Sequence, residues 1–344
     1  MKEALFYEKL DGTKVHCGLC RFRCLIEDGR RGNCGVRENR GGILYTLVYG
    51  RAVAEQVDPI EKKPLFHFQP GSTSYSVATV GCNFHCSHCQ NYSISKPVAE
   101  NVSTAGNELP PEEIVRKALA SGCSSISYTY TEPTIFYEYA YDTAVLARRA
   151  GLKNVFVTNG YITPEALAHL SPWLDAANID LKGYSEKFYR EVVHARLAEV
   201  LDCIVDYKRR GIWLELTTLL IPGFNDSDLE LTRLARFIAD QVGVGTPWHV
   251  TQFYPTYKLT DVPRTPVETL RRARRIGLDA GLRYVYEGNI PGEGGENTYC
   301  PGCCDLLIRR YGFYIEENRI LDGNCPACGT HIDGVELSGV LSRH

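Results

Sequence analysis

No stretch of the sequence approaches the roughly 18 uncharged apolar residues that a membrane-spanning helix requires, and the opening MKEALFYEKLDG is interrupted by Lys2, Glu3, Glu8 and Lys9. No signal peptide and no membrane span are therefore expected, and the expected location is the cytoplasm. Charge of one sign is equally scarce. A formal net charge of -3 on 344 residues excludes a strong general attraction to nucleic acid or lipid. There is no internal repeat of fixed period and no low-complexity tract, which excludes solenoids and repeat arrays. Hydrophobic residues at 44% and charged residues at 23% instead match ordinary globular usage. The length suits one large α/β domain with smaller appendages, or two ordinary domains.

Cysteine is the exception to this ordinariness, with 14 residues. A disulfide framework belongs to small secreted domains; in a chain read as cytoplasmic, clustered cysteines point to metal. They fall into three groups: Cys17, Cys20, Cys24 and Cys34; Cys82, Cys86 and Cys89; and Cys300, Cys303, Cys304, Cys325 and Cys328. Cys123 and Cys203 stand apart in the apolar contexts ASGCSSI and VLDCIVDY and read as small buried hydrophobes.

From Ser74 to about Gly288, short β-branched runs alternate with amphipathic segments. Strands are predicted over 75–80, 125–130, 154–158, 178–182, 213–221, 248–254 and 283–287. Helices are predicted over PPEEIVRKALASG, TIFYEYAYDTAVLARRAG, TPEALAHL, SEKFYREVV and DSDLELTRLARFIADQVG. Such βα repetition builds a parallel sheet, open or curled toward a barrel, with the strand C-terminal ends facing one site. The flanks are Gly- and Cys-rich and lack long helices, so three parts are expected: a Cys-rich module over 1–50, a βα domain over 51–290 and a second metal-stapled module over 291–344. IPGEGGENT, residues 290–298, reads as a hinge between the last two.

In VGCNFHCSHCQN, Cys82, Cys86 and Cys89 stand in C-x3-C-x2-C spacing directly after the first βα strand. Three thiolates are one short of an ordinary four-cysteine [4Fe–4S] site, which leaves one iron open to another ligand. The alternative is zinc completed by His85 or His88. The spacing, after the first strand of a βα region, resembles the signature of the radical S-adenosylmethionine superfamily. That resemblance implies a partial (β/α) barrel, a [4Fe–4S] cluster, S-adenosylmethionine on its open iron, a low-potential electron donor and a 5′-deoxyadenosyl radical that abstracts hydrogen from a substrate.

Further segments resemble the activating enzymes of pyruvate formate-lyase. TYTEPT carries Thr131, Glu132 and Pro133, where the family grips the methionine amino group. VFVTNGY and NIDLKGY carry Thr158, Asn159, Asp180 and Lys182, which the resemblance sets near the cofactor; the plainer reading of Asp180 and Lys182 is an ion pair. Val157 occupies the position of an acidic residue that in those enzymes helps hold a monovalent cation. LLIPGFNDS, with Pro222, Gly223 and Asn225, is similar to the turn flanking the adenosine. Over nearly its whole length the chain resembles the radical enzyme of the AmmeMemoRadiSam system, which implies other proteins of that system as partners. The substrate is not implied, and a glycyl-radical enzyme as target is the alternative.

At the C-terminal end, Cys300 with Cys303 and Cys325 with Cys328 form two C-P-x-C pairs about twenty residues apart. This is zinc-ribbon spacing, with a hairpin expected between the pairs and Cys304 as the spare thiol; a second Fe–S cluster is the alternative. Cys17, Cys20, Cys24 and Cys34 also suggest a closed site, holding zinc or an auxiliary cluster. Arg21, Arg23, Arg30, Arg31 and Arg37 make that segment basic. Were every site zinc, a nucleic-acid-binding protein would be the reading from another class, but neither the net charge nor any interleaving of basic and aromatic residues supports it.

Overall fold

The computed structural model describes residues 1–96, 102 and 105–338. The chain folds as two compact units: the first comprises Met1–Asp58, Thr73–Ala177 and Ala198–Ile212, and the second Pro59–Ser72, Asn178–Leu197 and the described residues from Trp213 on.

In the first unit, strand Ser125–Tyr128 lies between Thr73–Ala78 and Lys153–Thr158 and runs parallel to both, with Ser125 opposite Ser74 and Lys153. All four residues of Ser125–Tyr128 are buried, as expected of a parallel strand covered on both faces. Helix Pro111–Ala120 buries Ile114, Val115 and Ala118 along one stripe, and its start is fixed by a proline in the first turn with Glu112 and Glu113 behind it. The first 46 residues add two three-stranded antiparallel sheets. One orders Lys2–Glu3, Ile43–Thr46 and Arg37–Arg40; the other orders Tyr7–Lys9, Val15–Cys17 and Leu25–Ile26.

In the second unit, strand Trp248–Gln252 lies parallel between Trp213–Leu220 and Val285–Gly288, and every one of its residues is buried. Helix Asp228–Phe237 starts at a serine cap, with Ser227 Oγ accepting from the Glu230 N–H. The C-terminal hairpin pairs Leu306–Tyr311 with Tyr314–Asn318, as the spacing of the cysteine pairs predicts.

The seven βα strands lie where the β-branched runs place them, within about two residues, a scatter normal for element ends. The helices depart more. The 185–193 segment is one α turn, Glu186–Phe188, followed by a π turn over Tyr189–Val193, and the 226–243 segment likewise passes from α to π at Ile238. Helices Leu197–Arg209 and Val267–Asp279 are not among the segments named from the sequence. The 290–298 connection is not slack: the Glu287 N–H donates to Gly295 O at 3.1 Å, and a Cβ at Gly295 would fall 2.6 Å from Glu287 Cβ.

The segment DPIEKKPLFHFQPG is anchored by a buried carboxylate. Glu215 accepts from the N–H groups of Phe66 and His67 and from His249 Nε2, at 3.0, 2.8 and 2.7 Å. His67 is fully buried between Tyr286 Oη and Asp333 O. Burial pushes its pKa down to about 4, with Arg310 and His249 acting in the same sense and Glu215 opposing. The unfolded chain binds this proton near pH 6.5 and the folded chain only near 4, so stability falls as pH drops through that window. Between pH 7 and pH 5 His67 should cost about 2 kcal/mol. Chemical denaturation at both pH values checks this, with His67→Gln expected to flatten the difference; an equal loss in that variant would clear His67 of the effect.

Candidate functional site

Strand Thr73–Ala78 delivers the chain to the central cysteines. Gly81 turns it at φ +102°, and a Cβ there would meet Val36 Cγ1 at 2.6 Å and Cys34 O at 3.2 Å, so only glycine fits. Cys86 is buried, while Cys82 and Cys89 are partly exposed. Cys82 Sγ accepts from the Phe84 N–H at 3.4 Å, and Cys89 Sγ lies 3.1 Å from Ser95 Oγ. Burial first, then the charges of Glu132 and Cys86, push the Cys82 thiol far above its ordinary range. A thiol in that setting is inert until a metal displaces its proton.

Of the two histidines that could complete a zinc site, His85 is otherwise engaged. Lys96 Nζ donates to His85 Nδ1 at 3.0 Å, which leaves Nε2 to carry the proton and donate to Asn33 Oδ1 at 3.1 Å. His88 is buried.

Glu132 follows the next strand and is 2% exposed. Its Oε1 accepts from the Thr134 N–H, Thr134 Oγ1 and Thr158 Oγ1 at 2.9, 2.6 and 2.7 Å, and Oε2 from the Asn159 N–H at 2.8 Å. It therefore also caps the 3-10 turn Pro133–Phe136, which opens helix Tyr137–Arg149. Burial raises its pKa while the four donors favour the charged form. Oε2, with one donor, retains capacity for another. Thr131 Oγ1 donates to Thr79 O at 2.8 Å, tying the Glu132 turn to the cysteine loop.

Asn83, which sequence reasoning missed although it lies inside C-N-F-H-C, is the pivot. Its Oδ1 accepts from Asn159 Nδ2 at 2.7 Å, and Asn159 Nδ2 also lies 3.9 Å from Cys82 Sγ. Asn83 Nδ2 and Asn159 Oδ1 are buried and find no partner among the described residues. A buried donor and acceptor left open beside a cysteine loop fit a ligand that offers both an acceptor and a donor, as an α-amino acid does. The residues present thus fit a cluster with a chelating amino acid.

Asp180 and Lys182 lie in the second unit, where Lys182 Nζ donates to Asp180 Oδ2 at 2.9 Å. The ion pair expected from the plainer reading is present. Asn225 spends its side chain on backbone, accepting from the Ile221 N–H and donating to the carbonyls of Lys182 and Leu219.

Among the described residues, Cys300, Cys303, Cys325 and Cys328 are the group of metal-capable side chains whose donor atoms all lie within 4.8 Å of one another. Cys300 and Cys328 Sγ are 3.6 Å apart, and Cys303 and Cys325 Sγ 3.7 Å. A tetrahedral ion with bonds of about 2.3 Å sets its sulfurs about 3.8 Å apart. Cys304, at φ +63°, lies outside the group. Thr330 donates to Cys328 through hydroxyl and N–H and holds that thiol down to about 6.

Cys17, Cys20, Cys24 and Cys34 converge in the first unit. Burial, then the charges of Cys17 and Cys34, raise Cys20, and burial with Cys17 and Cys24 pushes Cys34 up to about 11.

The family model for the radical SAM superfamily matches residues 76–235, the span that holds the cysteine loop, Glu132 and Asn159. Residues 76–235 thus carry a radical SAM domain. It is 49% identical over 335 residues, 97% of this chain and 99% of the relative, to an uncharacterised protein of Methanocaldococcus jannaschii. A protein of the same archaeon, provisionally named a glycyl-radical enzyme activating enzyme, is 25% identical over 213 residues, covering 60% of this chain and 78% of that one. The solved radical SAM methyltransferase of Sphaerobacter thermophilus shares the fold, with a TM-score of 0.50, 19% identity and 70% and 71% of the two chains covered. The radical SAM family implies S-adenosylmethionine and an iron–sulfur cluster. No helix of the described residues is long and apolar enough to cross a membrane.

Proposed function

We propose that Cys82, Cys86 and Cys89 hold a [4Fe–4S] cluster whose fourth iron is left for the amino and carboxylate groups of S-adenosylmethionine, and that the chain is an oxidoreductase acting by hydrogen abstraction. The observation that carries this reading is the pair of buried, open amide atoms, Asn83 Nδ2 and Asn159 Oδ1, beside Cys82. When bound, the cluster supplies the electron that splits the sulfonium of S-adenosylmethionine into methionine and a 5′-deoxyadenosyl radical.

The chain's own residues bind and orient. Glu132 Oε2 accepts from the methionine amino group, for which a buried carboxylate oriented by four donors is suited. Asn83 Nδ2 donates to the methionine carboxylate. Thr131 and Thr158 act as positioning residues, one tying the Glu132 turn to Thr79 and the other holding Oε1. Asp180 and Lys182 join the cofactor set on the resemblance of NIDLKGY alone. The sulfur spacing of Cys300, Cys303, Cys325 and Cys328 supports structural zinc there.

The near-complete resemblance to the AmmeMemoRadiSam radical enzyme supports membership of that system, with its other proteins and a low-potential electron donor as partners. A glycyl-radical enzyme as the target is the second reading, favoured by the 25% identical relative.

Reduced protein should form 5′-deoxyadenosine from S-adenosylmethionine under anaerobic conditions even without substrate, as chromatography would show. Glu132→Gln removes one charge-assisted hydrogen bond and should raise the half-saturating cofactor concentration about tenfold with a smaller change in maximal rate. No product from protein with an intact reduced cluster and bound cofactor would refute the reading.

A further inference from the structure

The four N-terminal cysteines lie outside the superfamily match, which begins at residue 76. Their order is set by backbone. The Cys17 N–H donates to Cys24 O at 2.9 Å, and the Arg23 N–H to Cys20 O at 3.0 Å, which closes the turn between two of them. The sulfurs take hydrogen bonds from fixed donors: Arg37 Nη1 reaches Cys17 Sγ at 3.4 Å, and the Asn33 N–H reaches Cys24 Sγ at 3.5 Å. Arg37 is 1% exposed and is held by Glu138 and by Leu5 O at 2.9 Å. Its Nε is buried and finds no acceptor among the described residues.

The spacing of the thiols separates a single ion from a cluster. Four sulfurs around one tetrahedral ion stand about 3.8 Å apart, and the C-terminal four do so. Cys17, Cys20, Cys24 and Cys34 are all described, yet no three of them close to within 4.8 Å of one another. Nor do the central three cysteines all close to within 4.8 Å of one another. A cubane carries one iron per ligating thiolate, so its cysteine sulfurs stand further apart than those around one ion. The chain thus contains one tight set and two wide ones.

The wide N-terminal set also abuts the central loop. Asn33, whose N–H serves Cys24 Sγ, donates from Nδ2 to Asn83 O at 2.7 Å and accepts from His85 Nε2 at 3.1 Å. Cys34 O would lie 3.2 Å from a Cβ on Gly81, next to Cys82. An inorganic sulfide would give the buried Arg37 Nε–H the acceptor it lacks, and donors on cluster sulfur tune the reduction potential.

The geometry points to a second [4Fe–4S] cluster held by Cys17, Cys20, Cys24 and Cys34, closed by four thiolates and packed against the central cysteine loop. With no open iron it binds no substrate. It takes up one electron at a time from a low-potential electron donor, without making or breaking a bond. Its identity does not depend on the central reading.

Protein purified without oxygen should carry about eight iron, about eight acid-labile sulfide and about one zinc per chain, four iron to each cubane. Dithionite should produce two paramagnetic signals, of which S-adenosylmethionine perturbs one. Cys20→Ala should remove about four iron and spare the cofactor-sensitive signal. If that variant does not fold, the triple Cys82→Ala, Cys86→Ala, Cys89→Ala protein decides, and it should keep about four iron and a signal indifferent to the cofactor. Two zinc ions with about four iron, or an iron-free triple variant, would overturn the assignment. Two clusters that both ignore the cofactor would leave this site standing and sink the central reading instead.

Discussion

Cys325→Ala protein is expected to lose its zinc and to expose the C-terminal hairpin to protease, while the iron content stays unchanged. Cys325 is 2% exposed and belongs to the same core as Phe66, Tyr284, Tyr286, Leu307, Ile308 and Ile332. The site is thus not an ornament on that core but one of its walls. The two knuckles are near copies. The Cys300 N–H donates to Asp305 O and the Cys325 N–H to Thr330 O, both at 2.9 Å. A Cβ on Gly302 would fall 2.3 Å from Thr330 Oγ1, so each knuckle is shaped against the other. Structural zinc contributes about 10–16 kcal/mol of folding free energy in zinc-finger peptides, as much as the whole stability of an ordinary domain, about 5–15 kcal/mol. A short hairpin does not survive that loss alone. Mass-spectrometric metal counting and limited proteolysis measure the two effects, with Cys304→Ala as the control that should keep its zinc. Stoichiometric zinc in Cys325→Ala, with an unchanged cleavage pattern, would remove the site from the structure's supports.

What the sequence made legible was local. Thr73–Ala78, Ser125–Tyr128 and Trp248–Gln252 mix β-branched, aromatic and small residues and are buried along nearly their whole length, and that composition needs no partner to be seen. The two C-P-x-C pairs were legible because a knuckle is made of neighbouring residues. What escaped was set by partners far along the chain. Asn33 meets Asn83 across 50 positions, and Asn83 meets Asn159 across 76; neither contact leaves a trace in spacing. Glu132 was legible as a strand-end carboxylate, but its second task as the cap of Pro133–Phe136 depends on how the turn closes. The π turns at Tyr189 and Ile238 have the same cause. Apolar periodicity sets which face is buried, and one extra residue in a turn is absorbed by packing the sequence does not display.

Cys86→Ala protein should fold, keep its zinc, lose about four iron per chain and form 5′-deoxyadenosine only at background. The argument begins with position. Cys86 is the middle ligand of C-x3-C-x2-C and the buried one of the three, so no neighbouring side chain or solvent thiol replaces it. Deleting one buried sulfur leaves a small void, and large-to-small changes of that size cost only a few kcal/mol at most, so circular dichroism and zinc content should stay near the parent's. The chemistry should not survive, because two thiolates cannot retain a cluster with an iron left open. A fall of more than about a thousandfold, over 4 kcal/mol of activation free energy, is expected. The zinc alternative at this loop predicts a different pattern: Cys86→Ala would lose zinc and leave iron untouched, and His85→Ala would lose the same zinc. In the structure both ring nitrogens of His85 are engaged, by Lys96 and Asn33. His85→Ala should therefore keep its iron and its cofactor-sensitive signal. Iron retained in full by Cys86→Ala, or lost from His85→Ala to the same extent, would move the cluster to other ligands.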